Sequence, residues 1–330
     1  MRKTVCATLA VMMSVLFSPL SQAGQAWESY KARFFKPEGR IVDTGNGGVS
    51  HTEGQGFAML MAVANDDKAT FDKLWQWTNR ELKNKENGLF YWRYNPAESN
   101  PVADKNNAAD GDVLIAWALL KADARWHDKR YGAASDAITK ALVAHSVIRY
   151  AGYRVMLPGV QGFKLDGEVV LNPSYFVFPA WQAFAGRSHL PVWRDLIKDG
   201  KRLLGKMGSG KADLPADWVS LASDGKLEPA KGWPPRMSYD AIRIPLYLAW
   251  SDKQSPLLTP WKAWFGQFPR EQTPAWVNVT TNEYAPYMME GGLLAVRDLT
   301  MGQSSGEPEI TSKDDYYSAS LKMLVWISAQ

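Results

Sequence analysis

Val113 to Leu120 carries no charged, hydroxyl or amide side chain, and it follows directly on two carboxylates, Asp110 and Asp112. A helix that is apolar all round needs neighbours on every side. Other segments are one-sided. Phe71, Leu74, Trp75, Thr78 and Leu82 share a face by the i, i+3, i+4, i+7 rule, as do Ala137, Ile138, Ala141, Leu142 and His145. Further helices are expected at Trp27–Phe35, Gln55–Ala64, Ser174–Phe184, Val192–Leu204, Ser238–Trp250, Pro260–Phe268, Tyr284–Leu299 and Tyr316–Ser328. Thr259 and Pro260 suit a cap and a first helical position, and Pro179 and Pro245 are expected to kink their helices. Strand-like alternation is scarce, with Phe90–Tyr94 the best short case. No Pro/Gly/Ser-rich linker divides the chain. The mixture of fully apolar and amphipathic helices predicts one all-α domain in two layers, inner helices buried and outer ones half exposed. An (α/α)6 barrel of six helical hairpins fits the pattern; a long bundle or a helical solenoid fits it too.

The first residues read as an address. Arg2 and Lys3 precede an apolar run from Val5 to Phe17, and the small residues of Ser21-Gln22-Ala23 follow. That is the layout of a secretory signal peptide over residues 1–23, with the working domain at 24–330; cleavage after Ala26 fits equally. The run is shorter than the roughly 20 residues of a spanning helix, so stable membrane insertion is not expected. The single cysteine, Cys6, lies inside this leader, which excludes disulfides, thiol catalysis and thiolate metal sites from the exported chain. The expected location is the periplasm or the medium.

The formal charge of +4 falls to +2 without Arg2 and Lys3, and no block of like charges stands out. Nucleic-acid binding is therefore not expected. A neutral partner fits better, and 15 Trp and 13 Tyr supply flat rings on which sugars can stack, although most large aromatics belong to cores.

Three short passages place carboxylates at expected helix starts. In His51-Thr52-Glu53-Gly54-Gln55, Thr52 and Gln55 have capping-box spacing, so a helix is expected to begin at Glu53. The helix dipole there favours the charged carboxylate, whereas a general acid needs burial or a like charge to retain its proton. Glu53 is either a helix-start residue or such an acid. In Ala108-Ala109-Asp110-Gly111-Asp112, residues two apart face different sides, so one aspartate faces a site and the other caps or braces. Asp110, at the loop end, is the site candidate. In Tyr239-Asp240-Ala241-Ile242-Arg243, Asp240 and Arg243 share a helix face, where the guanidinium would hold Asp240 ionised, as a base requires. No HExxH, GxSxG, phosphate loop or dinucleotide fingerprint is present, and no metal or organic cofactor is expected.

At these passages the chain resembles glycoside hydrolase family 8, and within it the periplasmic endoglucanases that accompany bacterial cellulose synthases. Thr52 to Met59, T-E-G-Q-G-F-A-M, is similar to the family's S-E-G-Q-S-Y-G-M; Ala108 to Asp112 matches its A-S/T-D-G-D apart from Ala109; Tyr239 to Arg243 matches Y-D-A-x-R. Asn172-Pro173-Ser174-Tyr175 and Tyr316-Tyr317 also look like family elements. Phe57 and Ala109 replace a usual tyrosine and a usual hydroxyl, with consequences for hydrogen bonds to sugar. The resemblance implies an (α/α)6 barrel and an inverting endo-β-1,4-glucanase (cellulase) without cofactor. Glu53 would be the general acid, Asp240 the general base, and Asp110 the residue that holds and distorts the sugar. Trp92, Tyr175, Tyr239, Gln55 and Arg243 would bind the β-1,4-glucan, Arg243 chiefly by tuning Asp240. Association with a cellulose synthase is an expected functional link. The competing readings are a xylanase or chitosanase on the same fold, and a non-catalytic glucan-binding protein.

Overall fold

The computed structural model describes residues 24–303 and 306–330; the leader expected at 1–23 lies outside the described residues. The helices are α1 (Gln25–Phe34), α2 (Thr52–Ala64), α3 (Lys68–Glu81), α4 (Ala109–Trp126), α5 (Lys129–His145), α6 (Phe178–Ser188), α7 (Pro191–Leu204), α8 (Arg243–Ser251), α9 (Thr259–Phe265), α10 (Gly291–Thr300) and α11 (Tyr316–Ser328). Helix α2 packs on α4, α4 on α6, α6 on α8, α8 on α10, α10 on α11, and α11 back on α2. Outside this ring α1 lies on α11, α3 on α2, α5 on α4, α7 on α6 and α9 on α10. This is the (α/α)6 arrangement, with eleven helices among the described residues because the chain between α10 and α11 returns without one. None of these helices is long and apolar enough to cross a membrane.

Burial follows the two-layer expectation. Every residue from Gly54 to Val63 on α2 and from Ala109 to Leu119 on α4 is buried. Outer helix α7 buries only Trp193, Leu196, Asp199, Gly200, Leu203 and Leu204, a single stripe.

Several expected boundaries moved. Helix α8 starts at Arg243, so Ser238–Ile242 is a turn and Asp240 precedes the helix. Helix α10 starts at Gly291, not Tyr284. The segment expected at Ser174–Phe184 splits into a 3-10 turn, Pro173–Tyr175, and α6. Pro179 and Pro245 fall in the first turns of α6 and α8, where no intrahelical donor is lost, so no kink is needed. Thr259 is the first helical residue of α9, and Leu258 takes the cap position. The capping box is absent: α2 starts one residue early, at Thr52, whose Oγ1 has no partner.

Among the described residues nine short strands line the loops. β1 (Ser50–His51) pairs with β2 (Arg93–Tyr94), and β3 (Val147–Tyr150) with β4 (Tyr153–Met156). β5 (Glu168–Leu171), β6 (Val219–Ala222) and β7 (Leu227–Pro229) form an antiparallel sheet, and β8 (Arg236–Met237) pairs with β9 (Val277–Asn278). Of the expected strand Phe90–Tyr94, only Arg93 and Tyr94 pair as a strand; Phe90 and Tyr91 make isolated bridges.

Two glycines set the approach of α2 to α4. A Cβ on Gly56 would overlap the Leu114 side chain, and one on Gly111 would overlap the Thr52 side chain and crowd the Glu53 backbone nitrogen. Gly111→Ala should therefore destabilise the protein. Overpacking costs about 1–3 kcal/mol, against a helix-propensity gain of about 1 kcal/mol. Urea unfolding with parallel activity measurements tests this: a variant as stable and as active as wild type would mean that the two helices are not in hard contact.

Candidate active site

The N-terminal ends of the inner helices converge on one cleft. It has a volume of about 510 Å³ and is lined by Glu53, Asp110, Tyr175, Asp240, Arg243 and Tyr317, with His51 and Trp92 to one side. Glu53 and Asp110 are the second residues of α2 and α4, brought together by the glycine contacts above. Asp240 comes from the turn before α8, where Arg243 N–H closes onto the Asp240 carbonyl at 3.0 Å.

Arg243 binds the group together. Its Nη1 lies 3.0 Å from Glu53 Oε2, and its Nη2 lies 3.1 Å from Asp240 Oδ1 and 3.7 Å from Asp110 Oδ2. Nη2 also donates to Ser174 Oγ at 2.9 Å, and Nη1 to Tyr317 Oη at 3.2 Å. The guanidinium is only 3% exposed. Arg243 is thus not reserved for Asp240, as the spacing alone implied; the same cation serves three carboxyl groups.

The three carboxyl groups differ in access to water. The Asp240 side chain keeps 32% of its exposure, Glu53 18% and Asp110 5%. Burial, reinforced by the charge of Glu53, pushes Asp110 well above the usual carboxylate range; Arg243 and the Gly111 N–H, which donates at 2.8 Å, oppose the shift. Asp112 faces away. It accepts from Phe90 N at 2.9 Å and Asn107 Nδ2 at 2.8 Å, bracing the loops before α4, and burial pushes it up to about 7.

Local structure explains the rest of the lining. The β1–β2 ladder and the Thr52 N–H donating to the Trp92 carbonyl at 3.0 Å bring Trp92 beside the start of α2. The Trp92 ring lies parallel to His51, 5.8 Å between centres, and its Nε1 donates to Asp104 at 2.7 Å. Burial lowers the His51 pKa, so that ring is neutral at pH 7. Asn172 caps the 3-10 turn bearing Tyr175 by accepting from Ser174 N at 3.0 Å, and its Nδ2 donates to Asp240 at 3.1 Å. Tyr239 is 45% exposed at the cleft mouth, its hydroxyl 3.3 Å from that of Tyr287. From there a groove of about 660 Å³ continues past Tyr287, Met288, Glu290 and Lys313.

Gln55 is the expected site residue that does not reach the cleft. It is fully buried, accepts from Ile41 N at 2.6 Å, and donates to Gly39 O at 3.1 Å and Thr78 Oγ1 at 2.9 Å. It ties the loop after α1 to α3, a tertiary role that replaced the local capping partner. Sequence reading passed over Asp43 and Asp315, which also line the cleft, and Asp217 behind Asp240. None of the three lies in a recognisable motif. With five carboxyl groups against Arg243, the cleft is acidic although the chain is formally positive. Among the described residues no group of three His, Cys, Asp or Glu is arranged to hold a metal ion.

Comparison with known proteins agrees with this fold. The family model for glycosyl hydrolases family 8 matches residues 1–330. An endoglucanase of Cellulomonas uda is 62% identical over 303 residues, covering 92% of this chain and 84% of that protein. A family 8 endoglucanase from Klebsiella pneumoniae superposes with a TM-score of 0.92 at 66% identity, covering 93% of this chain and 99% of that one. An endo-β-1,4-glucanase from Acetobacter xylinum gives a TM-score of 0.89 at 40% identity, over 92% and 97% of the two chains. The chain belongs to glycosyl hydrolase family 8.

Arg243→Met should destabilise the protein at neutral pH by about 3–5 kcal/mol, the usual result of leaving buried charges unpaired. The sign with pH follows from the partners: as pH falls the carboxyl groups take up protons, the uncompensated charge disappears, and the deficit shrinks. Thermal midpoints of wild type and variant from pH 4 to 8 check this. A deficit independent of pH would reduce Arg243 to a packing role.

Proposed function

We propose that this family 8 protein is an inverting endo-β-1,4-glucanase, with Glu53 as general acid and Asp240 as general base. The observation that carries the reading is the Arg243 cluster, which gathers three carboxyl groups of graded exposure at one point of an elongated cleft. Asp240, the most open, can meet a water molecule, take its proton and leave the oxygen to attack the anomeric carbon. Glu53, held 3.0 Å from Arg243, gives its proton to the departing glycosidic oxygen. Asp110, nearly closed off from solvent, is placed to accept from a sugar hydroxyl and hold the ring at the cleavage point. Two contacts across one planar guanidinium limit the separation of the nearest Glu53 and Asp240 oxygens to about 8 Å, compatible with the roughly 6.5–9.5 Å that admits a water in inverting enzymes.

Trp92, Tyr175 and Tyr239 offer the sugar-stacking faces, with Arg243 behind them fixing the acids. The groove beyond Tyr239 extends the cleft, and a cleft that continues past the reacting residues suits attack on internal bonds of a long β-1,4-glucan. The names of the relatives, endoglucanases in each case, favour the same substrate. Export through a cleaved leader and a place in bacterial cellulose production, beside a synthase, follow from the sequence resemblance. Cleavage after Ala23 fits the fold better than cleavage after Ala26: the Ala26 side chain is buried, and its N–H donates to Glu307 at 2.7 Å within the first turn of α1.

A second reading, action on chitosan, has one observation in its favour. Asp43 and Asp315 add two acids to the cleft beyond the three held by Arg243, and a cationic polymer would be attracted to them. Reducing ends released from neutral cello-oligosaccharides, carboxymethylcellulose, xylan and chitosan separate the two readings; chitosan as the best substrate would displace the first.

Glu53→Gln should abolish turnover while the variant still binds cello-oligosaccharide, because the amide keeps the shape and lacks the transferable proton. In wild type the first-formed product should be the α-anomer. Proton NMR of early products decides this, and β-anomer first would rule out the direct displacement by water.

A further inference from the structure

Asp217 lies between β8 and β6, where its N–H donates to the Arg236 carbonyl at 2.7 Å. Its carboxyl group is turned towards the segment that carries Asp240. Oδ1 accepts from Ser238 N at 2.9 Å and from Ala241 N at 2.8 Å, and Oδ2 accepts from Ser238 Oγ. These donors flank Asp240 on both sides in sequence. A carboxylate that receives two backbone N–H groups of a turn helps fix the φ and ψ of the residues between them, and here it adds to the Ile242 N–H that donates to the Ser238 carbonyl at 3.0 Å. We propose that Asp217 is a positioning residue for the general base: it clamps this turn so that the Asp240 carboxylate faces the cleft. The proposal rests on the assignment of Asp240 as the base.

Asp240 lies between Arg243, 3.1 Å away, and the Asp217 carboxylate behind the turn, with Glu53, Asp110, Tyr175 and Tyr317 on the cleft side. Burial first, and the charge of Asp240 second, push Asp217 up to about 6.

Two variants separate clamp from charge, with Asp240→Asn as the reference for the base. If Asp240→Asn keeps wild-type turnover, the base assignment fails whatever Asp217 does. If it is inactive, Asp217 is tested as follows. Asp217→Asn keeps an oxygen that can accept from both backbone N–H groups and removes the charge. It should retain kcat within about fivefold at neutral pH. Asp217→Ala loses the clamp, and kcat should fall about tenfold or more with KM little changed, because misplacement costs turnover and not affinity. Should Asp217→Ala fail to fold, Ser238→Ala removes one contact to the same carboxylate and should lower kcat in the same sense. Asp217→Asn as impaired in kcat as Asp217→Ala would overturn the clamp, because the accepting oxygen is kept. Asp217→Ala with wild-type kcat and a lowered melting temperature would overturn the clamp and leave Asp217 as part of the fold alone.

Discussion

A guanidinium removed from water loses its hydration, and in this protein Arg243 is compensated by three carboxyl groups and two hydroxyls. The arrangement makes sense only as a unit. Without the cation, two or three carboxylates would share a poorly hydrated pit; without the acids, a buried arginine would stand alone, at a cost of several kcal/mol in either case. Much of the local architecture serves to bring these parts to one place. Glu53 and Asp110 come from adjacent inner helices, and their first turns can approach only because Gly111 and Gly56 leave no side chain in the gap. Ser174 and Tyr317, which take the remaining Arg243 donors, come from the turn before α6 and from the first turn of α11. The ring of inner helices thus delivers four N-terminal segments to a single cation.

Helix N-termini also supply the electrostatics. Unpaired N–H groups there carry partial positive charge that favours carboxylates. At Asp110 burial wins: one weak N–H contact and a guanidinium at 3.7 Å do not replace the lost water, so the carboxyl retains its proton well above the usual range. At Asp240 water is still present, and direct ion pairing is available. The exposure gradient across the three groups therefore sorts them by chemistry, the open one fit to handle water and the closed one fit to hold a hydroxyl. A sugar entering the cleft changes the surroundings of all three by excluding water.

The parts of this site that were legible in the sequence are those carried by local rules. A fully apolar segment after Asp112 required an inner helix, and α4 is buried from Ala109 to Leu119. The two-residue spacing of Asp110 and Asp112 required opposite duties, and one carboxyl enters the cleft while the other braces loops. Local rules failed where a distant partner outbid a near one. Thr52 and Gln55 have capping-box spacing, yet the Gln55 amide satisfies the loop at Gly39 and Ile41 and the Thr78 hydroxyl, since those groups are buried and have no solvent to turn to. Asp240 and Arg243 do pair, but across the turn that precedes α8, where Asp217 accepts the N–H groups of Ser238 and Ala241. Asp217, Asp43 and Asp315 carry no pattern at all; only folding places them near the acids.

The contrast between Asp240 and its two partners bears on how such a site can vary. Glu53 and Asp110 sit on helices whose packing tolerates no added methyl group, so their positions are fixed by the core and change only with it. Asp240 sits on a turn fixed by its own backbone bonds, by the Asp217 carboxylate and by the Tyr317 hydroxyl on the Tyr239 carbonyl, with its carboxyl held by Asn172 on one flank and Arg243 on the other. Shifting that turn costs a few hydrogen bonds, whereas moving α2 against α4 disrupts a close-packed interior. Glu53 is thus built into the rigid part of the molecule and Asp240 into its adjustable part. Changes in the loops around Asp217 and Asn172 can therefore move the Asp240 carboxylate within the cleft while leaving Glu53 and the barrel where they are.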